Sequence, residues 1–413
     1  MIYVIGAGLA GLSAAVSLAS AGIAVQVLEA AGSAGGRCRS YYDPQIGMVI
    51  DNGNHLLLSG NISAHRYLRT IGAETNFIGP REAEFAFYEH SSGRRWTVKP
   101  NRGLVPWWIF DRRRRVPDTK ARDYASFVPL IGSGPRTAAE LKKRDDVLWR
   151  RMLHPVLLAT LNTDPEQAAP NLIAAILLGT LGRGGKACRP RIAAPTLAGA
   201  FVEPAVKFIT ERGGAVHFGR RVLRMAFDGR RVSEMEFSDR RDKLGRNDCV
   251  IMAVPGWIAK SLVPGVSAPD EHHAIVSTHF AISPPAGTPT ITGLIGATAE
   301  WVFSFPDRLS ATISNADRLL DTDREEIAAA CWKDVAEAFN LPAKMPAWQV
   351  IKERRATFAA TRAQEAKRAG PATAWENLFL AGDWTATGLP ATIEGAIRSG
   401  RRAARLARRV RAA

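Results

Sequence analysis

The chain begins with a hydrophobic run, Ile2 to Ile5, followed by a glycine turn, a segment of small apolar residues and a second apolar run that ends at Glu29. Short apolar runs bounded by glycine are typical of buried parallel strands, and the segment between them has the length of one helix. A strand, a turn, a helix and a second strand closed by an acidic residue form the unit that opens a doubly wound domain. We therefore predict an α/β fold with a parallel sheet at the start of the chain.

The rest of the hydrophobic pattern divides into strand-like and helix-like stretches, with no internal repeat and no disordered linker. Alternation and turn residues predict hairpins at 84–98 and within 216–237, a buried strand at 249–255, strands around 301–305 and 309–313, and a strand at 377–380. Helical spacing predicts helices through most of 101–185, at 195–212, from a capping box of Thr322 and Glu325 through Phe339, and at 390–404.

Composition fits a globular protein of two joined domains, since 413 residues exceed one ordinary core and 46% are apolar. No run of about 18 apolar residues is long enough to span a bilayer. The first basic residue is Arg37, so the apolar N-terminus is interpreted as a core strand and not as a signal peptide. The scattered cysteines predict buried thiols in a reducing compartment, the cytoplasm, with no disulfide framework and no metal site: Cys38, Cys188, Cys249 and Cys331.

The net charge of +16 is concentrated in two clusters. One sets Trp107, Trp108 and Phe110 beside four arginines, and the other is the C-terminal helix from Arg398, which carries seven arginines and no acid. No nucleic-acid recognition motif accompanies the charge. Tryptophan together with arginine suits peripheral contact with an anionic membrane surface on the cytoplasmic side. The alternative is a solvated basic face with two core tryptophans.

The first glycine turn has the pattern of a dinucleotide site. Gly6 permits a tight turn, Gly8 permits backbone to approach a pyrophosphate, and Gly11 permits close packing of helix and strand. Ala10 lies in the same turn, and the helix N-terminus offers N–H groups to phosphate. Glu29 is placed to bind a ribose hydroxyl. The alternative is a glycine-rich helix start without a ligand.

A second glycine turn, Gly35-Gly36-Arg37, follows. This extension resembles the GGR segment of the flavin amine oxidase and phytoene desaturase superfamily, which implies that Gly36 and Arg37 lie near the pyrophosphate of FAD. The same resemblance places Gly382 and Asp383 at the ribityl or pyrophosphate part. The remaining positions that it assigns to FAD are Val222, whose backbone would meet adenine, and Thr392 and Ile393 at the start of a helix near the flavin. For Arg37 the alternative is a solvated loop charge, and for Gly382-Asp383 an ordinary turn.

Four further segments are similar to the family of hydroxysqualene dehydroxylases, FAD-dependent enzymes of bacterial hopanoid pathways. These segments are Asp51 to Leu58, Leu161 to Pro165, Arg355 to Phe358, and Thr387 to Gly395. The resemblance implies non-covalent FAD, because the covalent cysteine motif of monoamine oxidases is missing. It also implies an apolar C30 isoprenoid substrate. A second nicotinamide fingerprint is absent, so the electron donor stays unknown.

The superfamily fold is a Rossmann-type FAD-binding domain with an interleaved α+β substrate domain. We expect the FAD-binding domain to comprise residues 1–60, 195–255 and 370–413. The substrate domain would comprise 61–194 and 256–369, with a helical, membrane-facing part at 101–185.

The reaction implied by the resemblance replaces an allylic hydroxyl by hydrogen and gives squalene. Asp51, His55 and Glu394 are the candidates for the general acid, because they lie in segments expected to border the flavin. Each has a structural alternative: Asp51 as a backbone hydrogen-bond partner, His55 as a core histidine, and Glu394 as a support of the helix entrance. Competing functions are an oxidative polyprene desaturase, a flavin amine oxidase, and a prenyl carrier without a cofactor.

Overall fold

The computed structural model describes residues 1–412, and the side chains of residues 1–410. Its first layer is a five-stranded, fully parallel sheet built from distant parts of the chain. The strands in spatial order are β10 (Ala215–His217), β2 (Val25–Leu28), β1 (Ile2–Ile5), β14 (Cys249–Met252) and β20 (Leu378–Leu380). The predicted parallel sheet is therefore confirmed, and most of its residues are fully buried, as crossover helices on such a sheet require.

Two helices from opposite ends of the chain pack together on this sheet. Helix α1 (Leu9–Ala19) connects β1 to β2, and α11 (Ile393–Ala412) lies against it. A Cβ atom at Gly400 would lie 2.0 Å from the Ala10 carbonyl oxygen, so only glycine permits this separation of the two helices. The N-terminal unit is thus completed by the last helix of the chain.

The second layer is a seven-stranded mixed sheet. Its strands in spatial order are β19 (Trp348–Phe358), β15 (His272–Phe280), β18 (Leu309–Ile313), β17 (Trp301–Ser304), β16 (Ile291–Ile295), β7 (Phe85–Glu89) and β8 (Arg94–Val98). The pairing of β7 with β8 confirms the hairpin predicted at 84–98. Helix α9 (Arg324–Phe339) packs on one face of this sheet and forms a separate hydrophobic core with it. The other face packs against the helices of residues 101–185.

Smaller sheets and short helices fill the remaining space. The small sheets contain β3 (Ser40–Asp43) with β4 (Met48–Asp51); β5 (Leu56–Leu58), β9 (Pro190–Ala193) and β6 (Phe77–Ile78); and β11 (Arg224–Asp228), β12 (Arg231–Glu236) and β13 (Arg241–Lys243). The other helices are α2 (Ile62–Thr70), α3 (Phe127–Ser133), α4 (Pro135–Lys143), α5 (His154–Leu161), α6 (Pro170–Gly179), α7 (Glu203–Thr210), α8 (Gly256–Leu262) and α10 (Arg362–Ala366).

Three helix starts differ from the prediction. Helix α9 begins at Arg324, and its N-cap is Asp323, whose carboxylate accepts the Glu325 N–H at 2.8 Å; the predicted capping box with Thr322 was wrong by one residue. Helix α11 starts at Ile393, because Thr392 Oγ1 accepts the Gly395 N–H at 3.1 Å and so caps it. The helix predicted at 195–212 begins with a π-helical turn at Ala198–Val202 before α7.

The two tryptophans of the first basic cluster point in opposite directions. The Trp107 side chain is 65% exposed, whereas Trp108 is 5% exposed and belongs to the main core. The predicted aromatic patch therefore holds for Trp107 and Phe110 and is wrong for Trp108. Within residues 1–412, no helix has the length and apolar character needed to cross a bilayer.

Candidate cofactor site

The first glycine turn combines two tightly packed glycines with one that faces open space. Gly6 has a φ of +100°, and a Cβ there would lie 2.6 Å from the Ala253 carbonyl oxygen. A Cβ at Gly11 would lie 1.9 Å from the Gly6 carbonyl oxygen. A Cβ at Gly8 would meet no heavy atom within 4 Å. Gly6 and Gly11 therefore serve packing, while Gly8 leaves room in front of the helix for a ligand.

The N-terminus of α1 is suited to an anion. Gly8 is its N-cap and provides no side-chain cap, and the first turn contains no acidic residue. The N–H groups of that turn, which includes the buried Ala10, thus have neither an acid nor a capping side chain to compensate them. Their orientation and the helix dipole favour a phosphate group at this position.

Glu29 is fixed directly beside this turn, at the carboxyl end of β2. Its carboxylate accepts the Ala7 N–H at 2.7 Å and the Ala31 N–H at 2.8 Å. A carboxylate has about four acceptor positions, so a ribose hydroxyl can bind to the same group. The Glu29 carbonyl accepts the Arg220 N–H at 2.8 Å, which brings the loop with the buried Val222 next to the acid.

The second glycine turn packs directly on the first. The Gly35 N–H donates to the Ala7 carbonyl at 2.9 Å, and a Cβ at Gly36, whose φ is +56°, would lie 3.4 Å from the Gly8 Cα. This contact carries Arg37 across the sheet, where its guanidinium donates to Asp383 Oδ1 at 2.6 Å and to the Ala356 carbonyl. Arg37 is therefore an ion-pair partner across the site, although its side chain is still 44% exposed.

The Gly382-Asp383 turn is shaped by contacts that the sequence did not reveal. Gly382 has a φ of +148°, and its N–H donates to Ser399 Oγ at 2.8 Å, which ties the turn to α11. The Arg368 guanidinium, completely buried, donates to the Asp383 carbonyl at 3.0 Å and also to the Thr385 carbonyl. The sequence contains many arginines, and no local motif distinguishes Arg368 from the others. Only the three-dimensional structure shows that Arg368 holds the turn in place.

Two of the three candidate acids are occupied by structural hydrogen bonds. Glu394, which is buried, accepts the Ser63 N–H at 3.1 Å and the Ala64 N–H at 2.9 Å, so it caps α2. Asp51 Oδ1 accepts the Ser40 hydroxyl at 2.6 Å and the Leu197 N–H at 2.9 Å. Burial raises the pKa of Asp51 above its usual value. Both carboxylates join separate chain segments around the site.

His55 lies next to Arg37 and is half-buried. Burial, and after it the positive charge of Arg37, lowers the pKa of His55 to about 4. The imidazole is therefore neutral at pH 7. A neutral imidazole holds no readily released proton, which disfavours His55 as the acid that protonates a leaving hydroxyl.

The seven-stranded sheet contributes a further group of polar side chains to this region. Asn52 Nδ2 donates to Glu353 Oε2 at 3.0 Å, and Glu353 lies three residues before Ala356, the carbonyl partner of Arg37. The Arg355 guanidinium stacks over the Trp257 ring, with 4.8 Å to its centroid, and that ring contacts His272 edge-on. Glu353 is the half-buried carboxylate that sequence reasoning missed, because only strand pairing brings it to this site.

Comparisons with known proteins agree with this arrangement. The family model described as flavin containing amine oxidoreductase matches residues 9–407. Hydroxysqualene dehydroxylase of Rhodopseudomonas palustris is 50% identical over 98% of this chain and 97% of its own. The enzymes of that name from Sinorhizobium fredii and Zymomonas mobilis are 48% and 47% identical, and each alignment covers 98% of both proteins.

Solved structures with the same fold are much more distant in sequence. An oxidoreductase from Methanosarcina mazei superimposes with a TM-score of 0.71 at 16% identity, over 97% of this chain and 98% of that chain. Cyclohexylamine oxidase from Brevibacterium oxydans gives a TM-score of 0.69 at 16% identity, over 99% and 98%. These similarities show a flavin amine oxidase-like fold and extend over nearly the whole chain.

Proposed function

The chain belongs to the flavin containing amine oxidoreductase family, and from this premise we propose that it is an FAD-dependent oxidoreductase that reduces hydroxysqualene to squalene. The observation that carries the proposal is the near-full-length identity to three hydroxysqualene dehydroxylases, at about half of all positions. The alignments cover 98% of the chain, so they extend over both glycine turns and the seven-stranded sheet. The likeness to amine oxidases of known structure supports only the fold.

The cofactor proposed is FAD. The open space in front of Gly8 would take the pyrophosphate at the N-terminus of α1, and Glu29 would bind the adenosine ribose. The Val222 backbone would contact adenine. Arg37 and Asp383 would hold the pyrophosphate and ribityl region, and the start of α11 at Thr392 and Ile393 would lie near the flavin ring.

We propose that the FAD is bound without a covalent link. Cys38, which follows Arg37 directly, is a buried thiol, and burial raises its pKa to about 12. Burial also raises the pKa of Cys188 and Cys331 to about 12. A thiolate is the nucleophilic form of cysteine, and at neutral pH these three residues are almost entirely protonated. They are therefore poor candidates for flavin attachment.

Reduced flavin, when bound, supplies the hydride for this reaction. The protein must orient the allylic alcohol, protonate its hydroxyl and exclude water from the cation that remains when water leaves. One proton and one hydride then convert the alcohol into a hydrocarbon and one molecule of water. An external electron donor must reduce the flavin again after each turnover.

The proton donor must be a titratable side chain that can reach the substrate. Glu394 and Asp51 use their oxygens for backbone and side-chain partners, and His55 is neutral at pH 7. Glu353 accepts one hydrogen bond at Oε2 and is half-buried beside Arg37 and Asn52. We therefore add Glu353 to the three sequence-derived candidates, as the group with the most unused hydrogen-bonding capacity.

The substrate and its location follow from the same proposal. A C30 isoprenoid alcohol is almost insoluble in water, so the enzyme would collect it from a membrane, and we propose peripheral contact with an anionic bilayer on the cytoplasmic side. An oxidative polyprene desaturase is the remaining alternative within this fold.

A spectroscopic experiment tests the cofactor proposal. Purified protein should be yellow, and acid precipitation should release the chromophore into the supernatant, where chromatography identifies FAD. A chromophore that stays with the precipitate would overturn the non-covalent link. Protein that neither contains flavin nor binds added FAD would overturn the proposal as a whole and support a carrier function.

A further inference from the structure

The largest concentration of exposed apolar side chains lies in one short loop. We call residues Leu104 to Phe110 the apolar loop. Leu104 is 66% exposed, Val105 54%, Trp107 65% and Phe110 63%. The Trp107 and Phe110 rings lie side by side, with 6.1 Å between their centroids. Single exposed hydrophobic residues need no explanation, but a group of four within seven residues marks an interaction surface.

Contacts with the protein core hold the apolar loop in this shape. Trp108 points inward and packs edge-on against Tyr124, with 5.1 Å between ring centroids. The Trp108 N–H donates to the side-chain oxygen of Asn101 at 3.1 Å, and the amide group of the same Asn101 donates to the Val105 carbonyl at 2.9 Å. Trp107 and Phe110 are thus presented to solvent by a platform that is anchored in the core.

A second exposed segment packs against the residues that directly precede the apolar loop. The Gly185 N–H donates to the Asn101 carbonyl at 2.7 Å, and a Cβ at Gly184 would lie 2.2 Å from the Gly103 carbonyl oxygen. The turn that contains these glycines follows α6 and carries exposed Arg183 and Lys186, and Leu178, near the end of α6, is also exposed. We call the apolar loop and residues 178–186 together the docking surface.

The charge around the docking surface is strongly positive. Residues 99–115 contain six basic residues and one acid, Asp111, whose carboxylate accepts the Arg113 N–H. Arg112 and Arg113 are exposed, whereas Arg114 donates to the Lys99 carbonyl and Arg115 to the Ile109 carbonyl. Acids of a neighbouring segment pair with the first two cations of residues 99–115: Glu84 lies 3.2 Å from Lys99, and Glu82 lies 3.7 Å from Arg102. Apolar side chains at the tip with cations beside them match the hydrocarbon and the headgroups of an anionic bilayer.

Helix α11, the other basic cluster of the sequence, lacks this combination. Its apolar side is used inside the protein, since Ile397, Ala403, Ala404 and Ala407 are buried in the core with α1. Arginines therefore dominate the exposed side of the part of α11 whose side chains are described, where Val410, 37% exposed, is the one exposed large apolar side chain. The distinction identifies the docking surface, and not the C-terminal helix, as the part that enters the membrane.

We propose that the docking surface inserts Leu104, Val105, Trp107 and Phe110 into a bilayer of anionic phospholipids, with Arg112, Arg113, Arg183 and Lys186 at the headgroups. The inference rests on the proposed function, because an enzyme for a C30 isoprenoid alcohol needs access to a bilayer. The bound segment is preformed by Trp108 and Asn101, so the surface binds without refolding.

Vesicle co-sedimentation of the flavin-loaded full chain tests the proposal. Wild-type protein should sediment with vesicles that contain phosphatidylglycerol, and much less with vesicles of phosphatidylcholine alone. Trp107→Ala/Phe110→Ala should reduce the partition coefficient on anionic vesicles by at least about tenfold, because two aromatic side chains no longer enter the bilayer. Binding of this variant at the wild-type level would overturn the proposal.

A matched control uses two exposed apolar residues of another surface. Tyr42 and Val49 are cross-strand neighbours on the hairpin of β3 and β4, with 64% and 44% exposure. Tyr42→Ala/Val49→Ala should bind anionic vesicles like wild type, and an equal loss in this variant would overturn the assignment to the docking surface. A change of oligomeric state on Trp107→Ala/Phe110→Ala without vesicles would point instead to a second copy of the chain as the occupant.

The test separates this inference from the proposed function. Hydroxysqualene dissolved in detergent micelles reaches the enzyme without a bilayer, so Trp107→Ala/Phe110→Ala should reduce it at the wild-type rate. Normal turnover together with unchanged vesicle binding of this variant would overturn only the assignment of the docking surface. Absence of flavin or of turnover in the wild-type protein would overturn the proposed function, whatever the result with vesicles.

Discussion

Single residues at the candidate site divide into those that leave room or hydrogen-bonding capacity for a ligand and those that hold the site together. Gly8, Glu29 and Arg37 border open space or keep unused hydrogen-bonding capacity, whereas Glu394, Asp51 and Arg368 are buried with several protein partners each. The sequence identified the first group by motif. It could not separate the roles of the carboxylates, because that depends on partners up to 331 residues away.

Replacement of Glu394 by glutamine distinguishes a structural role from a catalytic one. Glu394→Gln keeps one acceptor oxygen but loses the second, and also loses the charge that pairs with Arg398 and the N-terminus of α2. We expect a loss of about 1–3 kcal/mol in the free energy of unfolding, measured by urea titration. The turnover of the folded, flavin-loaded variant should stay within about threefold of wild type. Unchanged stability with turnover abolished would instead make Glu394 the proton donor.

The low pKa of His55 predicts a specific dependence of stability on pH. Because the pKa is about 4 in the folded protein and near 6.5 in the unfolded chain, the unfolded state binds more protons between these values. The contribution of His55 is therefore present above pH 6.5 and is lost as the pH falls toward 4. Wild type should lose about 1–2 kcal/mol more than His55→Gln between pH 7 and pH 5, by urea titration at both pH values. Equal losses in the two proteins would show that His55 titrates normally.

At the scale of elements, the N-terminal unit was the most predictable part of the fold. Glycine positions, strand length and helix length are local properties, and they sufficed for β1, α1 and β2. The start of α9 was less predictable, because Asp323 competes as a cap with Thr322. The start of α11 was less predictable, because Pro390, a residue type favoured at the first helical position, precedes the cap Thr392 by two residues. The inward orientation of Trp108 beside the outward Trp107 depends on Tyr124, which no local pattern indicates.

Two alanine substitutions in one turn separate packing from ligand binding. Gly8→Ala places its methyl group in open space, so the protein should fold with normal stability but lose most of its affinity for FAD. Gly11→Ala places its methyl group 1.9 Å from the Gly6 carbonyl oxygen, which should cost about 3 kcal/mol of folding free energy. Thermal unfolding and flavin absorption of both purified variants provide the comparison. Normal FAD binding by Gly8→Ala would refute the proposed position of the pyrophosphate.

At the scale of the whole molecule, the chain builds one cofactor site from its two ends and sets a second sheet against it. The parallel sheet uses strands from residues 2–28, 215–252 and 378–380, and the mixed sheet supplies Ala356 and Glu353 to the same region. Family resemblance supplied this architecture, while composition and periodicity alone predicted only an α/β fold with hairpins. The contact between Arg37 and Asp383, 346 residues apart, joins the two ends at this site.

The proposed reaction can be measured directly. Under anaerobic conditions, protein whose flavin has been reduced chemically should convert hydroxysqualene into squalene, with one flavin oxidised for each squalene formed. Mass spectrometry of the extracted lipid and the recovered flavin absorption band measure both sides of this balance. No squalene from hydroxysqualene, together with dehydrogenated polyenes formed from squalene by the oxidised protein, would contradict the account and identify an oxidative desaturase instead.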